Sequence, residues 1–97
     1  MRYQVTLHAV ALSDLRGARE WYESQQSGLG DALTAEVSDA LAKLEISAEV
    51  FPIYYRGLRR VLTGRFPYKI FYRVEEARVV VLRILHSARD HRRELNS

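Results

Sequence analysis

The hydrophobic positions in the last third of the chain fall into two apolar runs separated by a short polar break. The first run extends from about Tyr68 to Val74 and the second from about Arg78 to His86, and both are rich in β-branched and aromatic residues. This arrangement predicts an antiparallel hairpin. Because the second run is apolar at both alternating sets of positions, we expect it to be a strand that is central in the sheet or covered on both faces.

The alternation within the second run predicts which of its side chains lie in the core. We expect Val80, Leu82 and Ile84 to point into the core together. Arg83 interrupts the opposite set, and His86 ends the run. The predicted strand therefore carries a cation in its middle and an imidazole at its end.

Two helical patterns precede this hairpin. Apolar residues from Ala11 to Tyr22 recur every three or four positions, and a second stripe of this kind extends to about Ser47. Gly28 and Gly30 interrupt the helical pattern between the two stripes, which predicts an antiparallel helical hairpin. Gly17 costs the first helix about 1 kcal/mol relative to alanine, and so it suggests a close crossing with another element.

The remaining segments complete a two-layer fold. Alternation predicts strands at Arg2 to His8 and at Leu58 to Thr63, and the segment from Glu49 to Gly57 is predicted to be a linker. The polar tail after Arg89 is compatible with a last helical turn or a frayed end. The predicted order is βααβββ: a single α+β domain, spanning residues 1–97, in which the helical hairpin covers one face of an antiparallel sheet.

Charge is distributed unevenly along the 97 residues. Residues 1–49 hold four cations and eight acids, a net charge of −4, whereas residues 50–97 hold eleven cations and four acids, a net charge of +7. Thirteen of the fifteen cations are arginine, whose planar fork pairs with carboxylates and phosphates. The basic half is typical of a protein that binds an acidic protein or a nucleic acid, and equally of a solvated arginine-rich surface.

Composition narrows the class of protein further. No apolar segment approaches the ~20 residues that a membrane span needs, and the N-terminus lacks the apolar segment of a signal peptide. The chain has no cysteine, which excludes disulfides and thiolate metal sites and favours the cytoplasm. No metal-ligand spacing or cofactor motif is visible, so we expect neither a metal nor a cofactor.

The candidate chemistry is a cluster of cations and one histidine. His86 at a strand end is either a structural residue or a proton-transfer group. The cations, which come from several predicted strands, could clamp phosphates or dock an acidic peptide. They are Arg59, Arg60, Arg65, Lys69, Arg73, Arg83 and Arg89.

Three segments carry a resemblance to a known family: Leu58 to Arg60, Arg65 to Val74, and Ile84 to Asp90 with its His-x-x-Arg-Asp ending. In these segments and in its order of elements, the chain resembles the RelE/ParE superfamily of type II toxin–antitoxin toxins. The His-x-x-Arg-Asp ending is closer to ParE-like members, which are often called plasmid stabilisation proteins. The resemblance implies a cytoplasmic toxin that is neutralised by a small, acidic, partly disordered antitoxin, and a complex that binds operator DNA only through the antitoxin.

The superfamily contains two mechanisms on one fold. RelE-like members cut mRNA on the ribosome, and in that reading the catalytic candidates are Arg59, Lys69, Arg73, His86 and Arg89. ParE-like members inhibit DNA gyrase by binding it. Val61 and Leu95 stand where a RelE-type lysine and tyrosine would be expected.

The shortage of proton-transfer groups favours gyrase inhibition over mRNA cleavage. Metal-free RNA cleavage needs a base and an acid, and His86 is the one evident proton-transfer group, because an arginine keeps its proton. The further cations are then candidates for binding the target or the antitoxin: Arg60, Arg65, Arg83, Arg92 and Arg93. A basic RNA-binding α+β module is a third reading, which matches less well because the chain opens with a strand.

Overall fold

The computed structural model describes residues 2–88 and Leu95. In this part of the chain two helices and five strands follow one another in the order βααββββ. Their bounds are β1 Gln4–Leu7, α1 Ala9–Gln25, α2 Leu29–Ser47, β2 Ile53–Tyr55, β3 Leu58–Leu62, β4 Tyr68–Glu75 and β5 Arg78–His86. The predicted α+β class, with a helical hairpin on one face of a sheet, is confirmed. The predicted tail after Arg89 lies, apart from Leu95, outside the described residues.

The helical hairpin is fixed by contacts around its glycine turn. Gly28 begins α2 from a left-handed backbone conformation (φ +93°). The carboxylate of Glu23 on α1 accepts hydrogen bonds from the amides of Gly28 and Gly30, each at 2.9 Å. A Cβ on Gly30 would lie 2.8 Å from the backbone oxygen of Arg19, so Gly30 is the glycine at which the helices approach most closely. The prediction that Gly17 marks a close crossing is wrong, because a Cβ there would meet no atom within 4 Å.

The sheet is mixed, which corrects the prediction of an antiparallel one. Its strand order is β1-β5-β4-β3-β2, and β1 pairs with β5 in parallel, whereas the other pairs are antiparallel. Parallel pairing requires a crossover connection, and the helical hairpin together with the intervening strands supplies it here. The prediction that the strand at Arg78–His86 is central is confirmed, because β5 lies between β1 and β4.

The segment predicted as a linker contains the edge strand β2. It forms a hairpin with β3, in which Tyr55 pairs with Leu58. The connecting residues Arg56 and Gly57 both have positive φ angles, of 50° and 78°. Two positive φ angles are typical of the tight turns that match strand twist. An Arg-Gly pair is a weak sequence signal for such a turn, which explains why the strand was not predicted.

A β-bulge changes which residues of β5 reach the core. Phe71 of β4 pairs with Arg83, but the next residue, Tyr72, pairs with Val81, so Leu82 is left as the extra residue. The inward set therefore switches from Val79 and Val81 to Ile84. Of the three residues predicted to be core, Ile84 is buried as expected. Val80 and Leu82 are only partly buried, which corrects that prediction.

Candidate functional site on the two faces of the sheet

The cations of β3 and β4 are divided between the two faces of the sheet. Ile70 and Tyr72 pack in the core on the face that the helices cover, here called the inner face. Arg59 pairs with Tyr72 and lies on that face. By strand alternation Arg60, Lys69 and Arg73 lie on the opposite, outer face. The structure therefore does not bring the predicted cluster together in one concavity.

Arg59 stabilises the chain segment that follows α2. Its Nη1 donates to the carbonyl oxygens of Phe51, at 2.6 Å, and of Glu49, at 3.1 Å. These bonds join the α2–β2 connection to β3. The side chain is half-buried and engaged with backbone oxygens, so its observed role is structural.

On the outer face, Arg60 stacks on an aromatic cluster. Its guanidinium carbon lies 4.2 Å from the centre of the Tyr54 ring, within the range of a cation–π contact. The Tyr54 ring in turn lies 5.7 Å from the ring of Phe71, the cross-strand neighbour of Arg60. Arg73, further along β4, forms a 2.5 Å ion pair with Glu75. An arginine held over an aromatic ring keeps its donors directed outward in a fixed plane.

The predicted binding residue Arg65 lies in the exposed turn between β3 and β4. Its guanidinium carbon is 5.2 Å from the centre of the Phe66 ring. The backbone amide of Phe66 donates to Glu36 of α2, at 3.3 Å. The turn is thus tied to the helical layer, and Arg65 extends from it. Arg89, Arg92 and Arg93 lie outside the described residues.

Arg83 forms an internal ion pair with a residue that the sequence did not single out. Its Nε lies 2.8 Å from Asp14 on α1, and the two side chains are only 18% and 13% exposed. Asp14 also accepts the backbone amide of Ile84 at 3.0 Å. Because β5 extends beyond the last residue of β1 here, Asp14 takes the place of a neighbouring strand. The sequence signal was Arg83 itself, since an arginine in the middle of a mostly buried strand indicates that a carboxylate lies nearby.

His86 lies beside a cleft between α1 and the end of the sheet. Its ring is 5.4 Å from that of Tyr68, its cross-strand neighbour, and its Nδ1 accepts the amide of Ala88 at 3.1 Å. The neutral imidazole therefore carries its proton on Nε2. The cleft has a volume of about 370 Å³, and Trp21, which is 58% exposed, forms part of its wall. Its lining comprises Ser13, Asp14, Gly17, Ala18, Trp21, Tyr68, Ile84 and His86.

The described candidates for RNA cleavage are dispersed. His86 pairs with Tyr68 and Arg59 with Tyr72, four positions further along β4, which corresponds to about 13 Å. Lys69 and Arg73 lie on the other face. The hydroxyl of Tyr72 donates to the carbonyl oxygen of Ala48, and burial raises the pKa of Tyr72 to about 12. This phenol therefore stays protonated near neutral pH and cannot act there as a base.

Comparison with known proteins shows which family the chain belongs to. A model of the ParE toxin of type II toxin–antitoxin systems matches residues 5–91. The chain belongs to the ParE toxin family. The closer resemblance to ParE-like members that the His-x-x-Arg-Asp ending indicated is thereby confirmed. No curated protein matches this ParE-family chain significantly.

Two solved structures share the fold. One is a chain of the chromosomal ParDE toxin–antitoxin system from P. aeruginosa, with a TM-score of 0.74 and 21% identity over 88% of this chain and 96% of that chain. The other belongs to the RelBE2 toxin–antitoxin complex from Mycobacterium tuberculosis, with a TM-score of 0.63 and 24% identity over 89% of this chain and 99% of that chain. At these identities, both similarities show a shared fold.

Two further observations concern metals and membranes. Among residues 2–88 and Leu95, no group of three His, Asp or Glu side chains is arranged to hold a metal ion. In the same part of the ParE-family chain, neither helix has the length and apolar composition that crossing a membrane requires.

Proposed function

We propose that this ParE-family chain is a cytoplasmic toxin that stops growth by binding DNA gyrase, and that a small acidic antitoxin neutralises it. The observation that carries the proposal is the match to the ParE toxin family over residues 5–91. In this reading operator DNA is bound by the complex through the antitoxin. The chromosomal system and the RelBE2 complex that share the fold are described as toxin–antitoxin systems, which supports an antitoxin as partner.

The geometry of the candidate residues supports binding over RNA cleavage. A metal-free ribonuclease needs a base, an acid and cations around a single phosphate. Here His86 lies beside the cleft, Arg59 is engaged with backbone oxygens, and Lys69 lies on the outer face. Inhibition by binding requires only a complementary surface.

Gyrase assays test the proposal directly. Purified toxin should inhibit supercoiling of relaxed plasmid by gyrase or trap cleaved DNA, and the product of a short acidic gene adjoining this one should reverse the effect. His86→Ala should keep most of this inhibition, because His86 is not needed for chemistry. Thermal melts of both proteins serve as the control for folding.

A ribosome assay provides the opposing result. If the toxin instead cuts mRNA on ribosomes, and folded His86→Ala has lost this cutting, the proposal is wrong and the RelE-like reading holds. If the toxin affects neither gyrase nor mRNA but binds RNA, the chain is the basic RNA-binding module. A toxin that is harmless in cells and binds nothing encoded in its operon would contradict the antitoxin as partner.

A further inference from the structure

The two layers of the ParE-family chain carry opposite charge. Residues 9–49, which hold α1 and α2, contain three cations and eight acids, a net charge of −5. Residues 50–88, which hold β2 to β5, contain eight cations and two acids, a net charge of +6. Because the helices cover the inner face of the sheet, the cations on its outer face lie on the opposite side of the molecule from the acidic helical layer.

Four of these eight cations lie on the outer face of three adjacent strands. Arg60 on β3, Lys69 and Arg73 on β4, and Arg78 on β5 lie on that face by strand alternation. Arg73 and Arg78 share one carboxylate, that of Glu75. Among the described residues no carboxylate lies within salt-bridge distance of Arg60 or Lys69. The acids on the outer face therefore balance only part of its positive charge.

The spacing of these cations fits a repeating anion. Lys69 and Arg73 are four positions apart on one strand, or about 13 Å, which is close to the ~12 Å width of the major groove of B-DNA. Arg60 adds a guanidinium held in a plane by the Tyr54 ring, a geometry suited to phosphate oxygens. Lys69 and Arg73 are therefore far enough apart to contact the two phosphate backbones that border the major groove of a duplex, with Arg60 beside them.

We infer that the outer basic face, formed by Arg60, Lys69, Arg73 and Arg78, contacts the phosphate backbone of duplex DNA. The inference rests on the proposed function, since gyrase acts on duplex DNA, and it adds a DNA surface to a toxin otherwise proposed to bind protein. The acidic helical layer faces away from the duplex, which orients the toxin on it. Phosphate contacts of this kind position a protein and carry no sequence information.

Two double variants of equal charge test this surface. Arg60→Gln with Lys69→Gln removes two cations from the outer face. Arg16→Gln with Lys43→Gln removes one arginine and one lysine from the exposed surface of the helices, and both variants lower the net charge from +3 to +1. Binding to a fluorescent 20-base-pair duplex is measured by anisotropy between 50 and 200 mM salt. Arg60→Lys with Lys69→Arg retains both charges and is the control for packing.

The expected result is selective. The outer-face variant should bind at least tenfold more weakly at 50 mM salt, and its slope of log affinity against log salt should be shallower by about 1.8, since each phosphate contact contributes about 0.9. The helical-layer variant should bind as the unmodified protein does, and the charge-retaining variant should keep the unmodified salt slope, since it keeps both cations. Equal losses in both neutralised variants, or no DNA binding by the unmodified protein, would overturn the inference. So would equal competition by a glutamate-rich peptide of the same charge.

Supercoiling assays with the same proteins separate this inference from the proposed function. If unmodified toxin inhibits gyrase but the outer-face variant binds the duplex as well as the unmodified protein does, the DNA surface is refuted while gyrase inhibition stands. If unmodified toxin does not inhibit gyrase at all, the proposed function fails, and the anisotropy data alone decide whether the outer face binds DNA.

Discussion

The hydroxyl of Tyr72 is a buried group whose contribution to stability can be measured in two independent ways. It donates to the carbonyl oxygen of Ala48 at 2.5 Å, and both residues are fully buried. Tyr72→Phe removes the donor without changing the ring. Because the Ala48 carbonyl is then left unsatisfied, we expect the free energy of unfolding at pH 8 to fall by about 1–3 kcal/mol.

The same hydroxyl predicts a dependence on alkaline pH. Burial raises the pKa of Tyr72 from 10.0 to about 12, so between these values the unfolded chain has lost a proton that the folded chain retains. Unfolding is then favoured as the pH rises. The contribution is complete below pH 10 and is lost as the pH rises towards 12. At about 1.36 kcal/mol for each pH unit, the loss is on the order of 2 kcal/mol by pH 11.5.

Urea denaturation of both proteins at pH 8 and at pH 11.5 tests these values. Phenylalanine does not titrate, so the stability difference between the two proteins should narrow by about 2 kcal/mol at the higher pH. Other tyrosines and lysines titrate equally in both proteins and cancel in the comparison. Tyr3→Phe, which removes a surface hydrogen bond to Glu49, should cost less at pH 8. A difference that is unchanged between the two pH values would refute the buried, protonated phenol.

Five further substitutions follow from the structure, and thermal or urea unfolding measures the effect of each on stability. Gly17→Ala should stabilise the protein by about 0.5–1 kcal/mol because its Cβ meets open space, whereas Gly30→Ala should destabilise it because its Cβ would lie 2.8 Å from a backbone oxygen. Asp14→Ala should cost about 3 kcal/mol, since it removes a largely buried ion pair with Arg83 and the acceptor of the Ile84 backbone amide. Ile84→Ala should cost about 2–5 kcal/mol, and Leu82→Ala less, because Leu82 is only partly buried at the bulge.

Each of these comparisons contains its own control. Equal effects at Gly17 and Gly30 would mean that the close approach of the helices is misplaced. Asp14→Asn retains an acceptor for the amide and should cost less than alanine; equal losses would show that this acceptor contributes nothing. A larger loss for Leu82→Ala than for Ile84→Ala would contradict the register of β4 and β5.

Local patterns in the sequence predicted most of the elements but not how the strands pair. The second apolar run predicted β5 with the bounds it has in the structure, Arg78–His86, and the helical stripes located α1 and α2. Strand direction depends on where the chain returns after the helices, which alternation does not encode. The bulge at Leu82 was also missed. A bulge changes which alternate residues point into the core, and this change is not visible in a run where both alternating sets are apolar.

The candidate site was predicted less well than the fold. Sequence identified cations on β3 and β4, but neighbours such as Arg59 and Arg60 point to opposite faces, so membership of a cluster depended on register. The partner of Arg83 lies 69 positions earlier in the chain, at Asp14. An ion pair of that separation follows from the packing of α1 against β5, which a single sequence does not specify.

The position of β5 has a consequence for how the protein is made. Among the strands that the structure describes, the one that joins β1 to the rest of the sheet comes last in the chain. A nascent chain that has emerged only as far as β4 therefore lacks the strand that joins β1 to the sheet and part of the core that packs against α1. Non-local pairing of this kind must wait for the late segment. Synthesis itself thus delays maturation, and a prematurely ended translation product lacks the middle of its sheet.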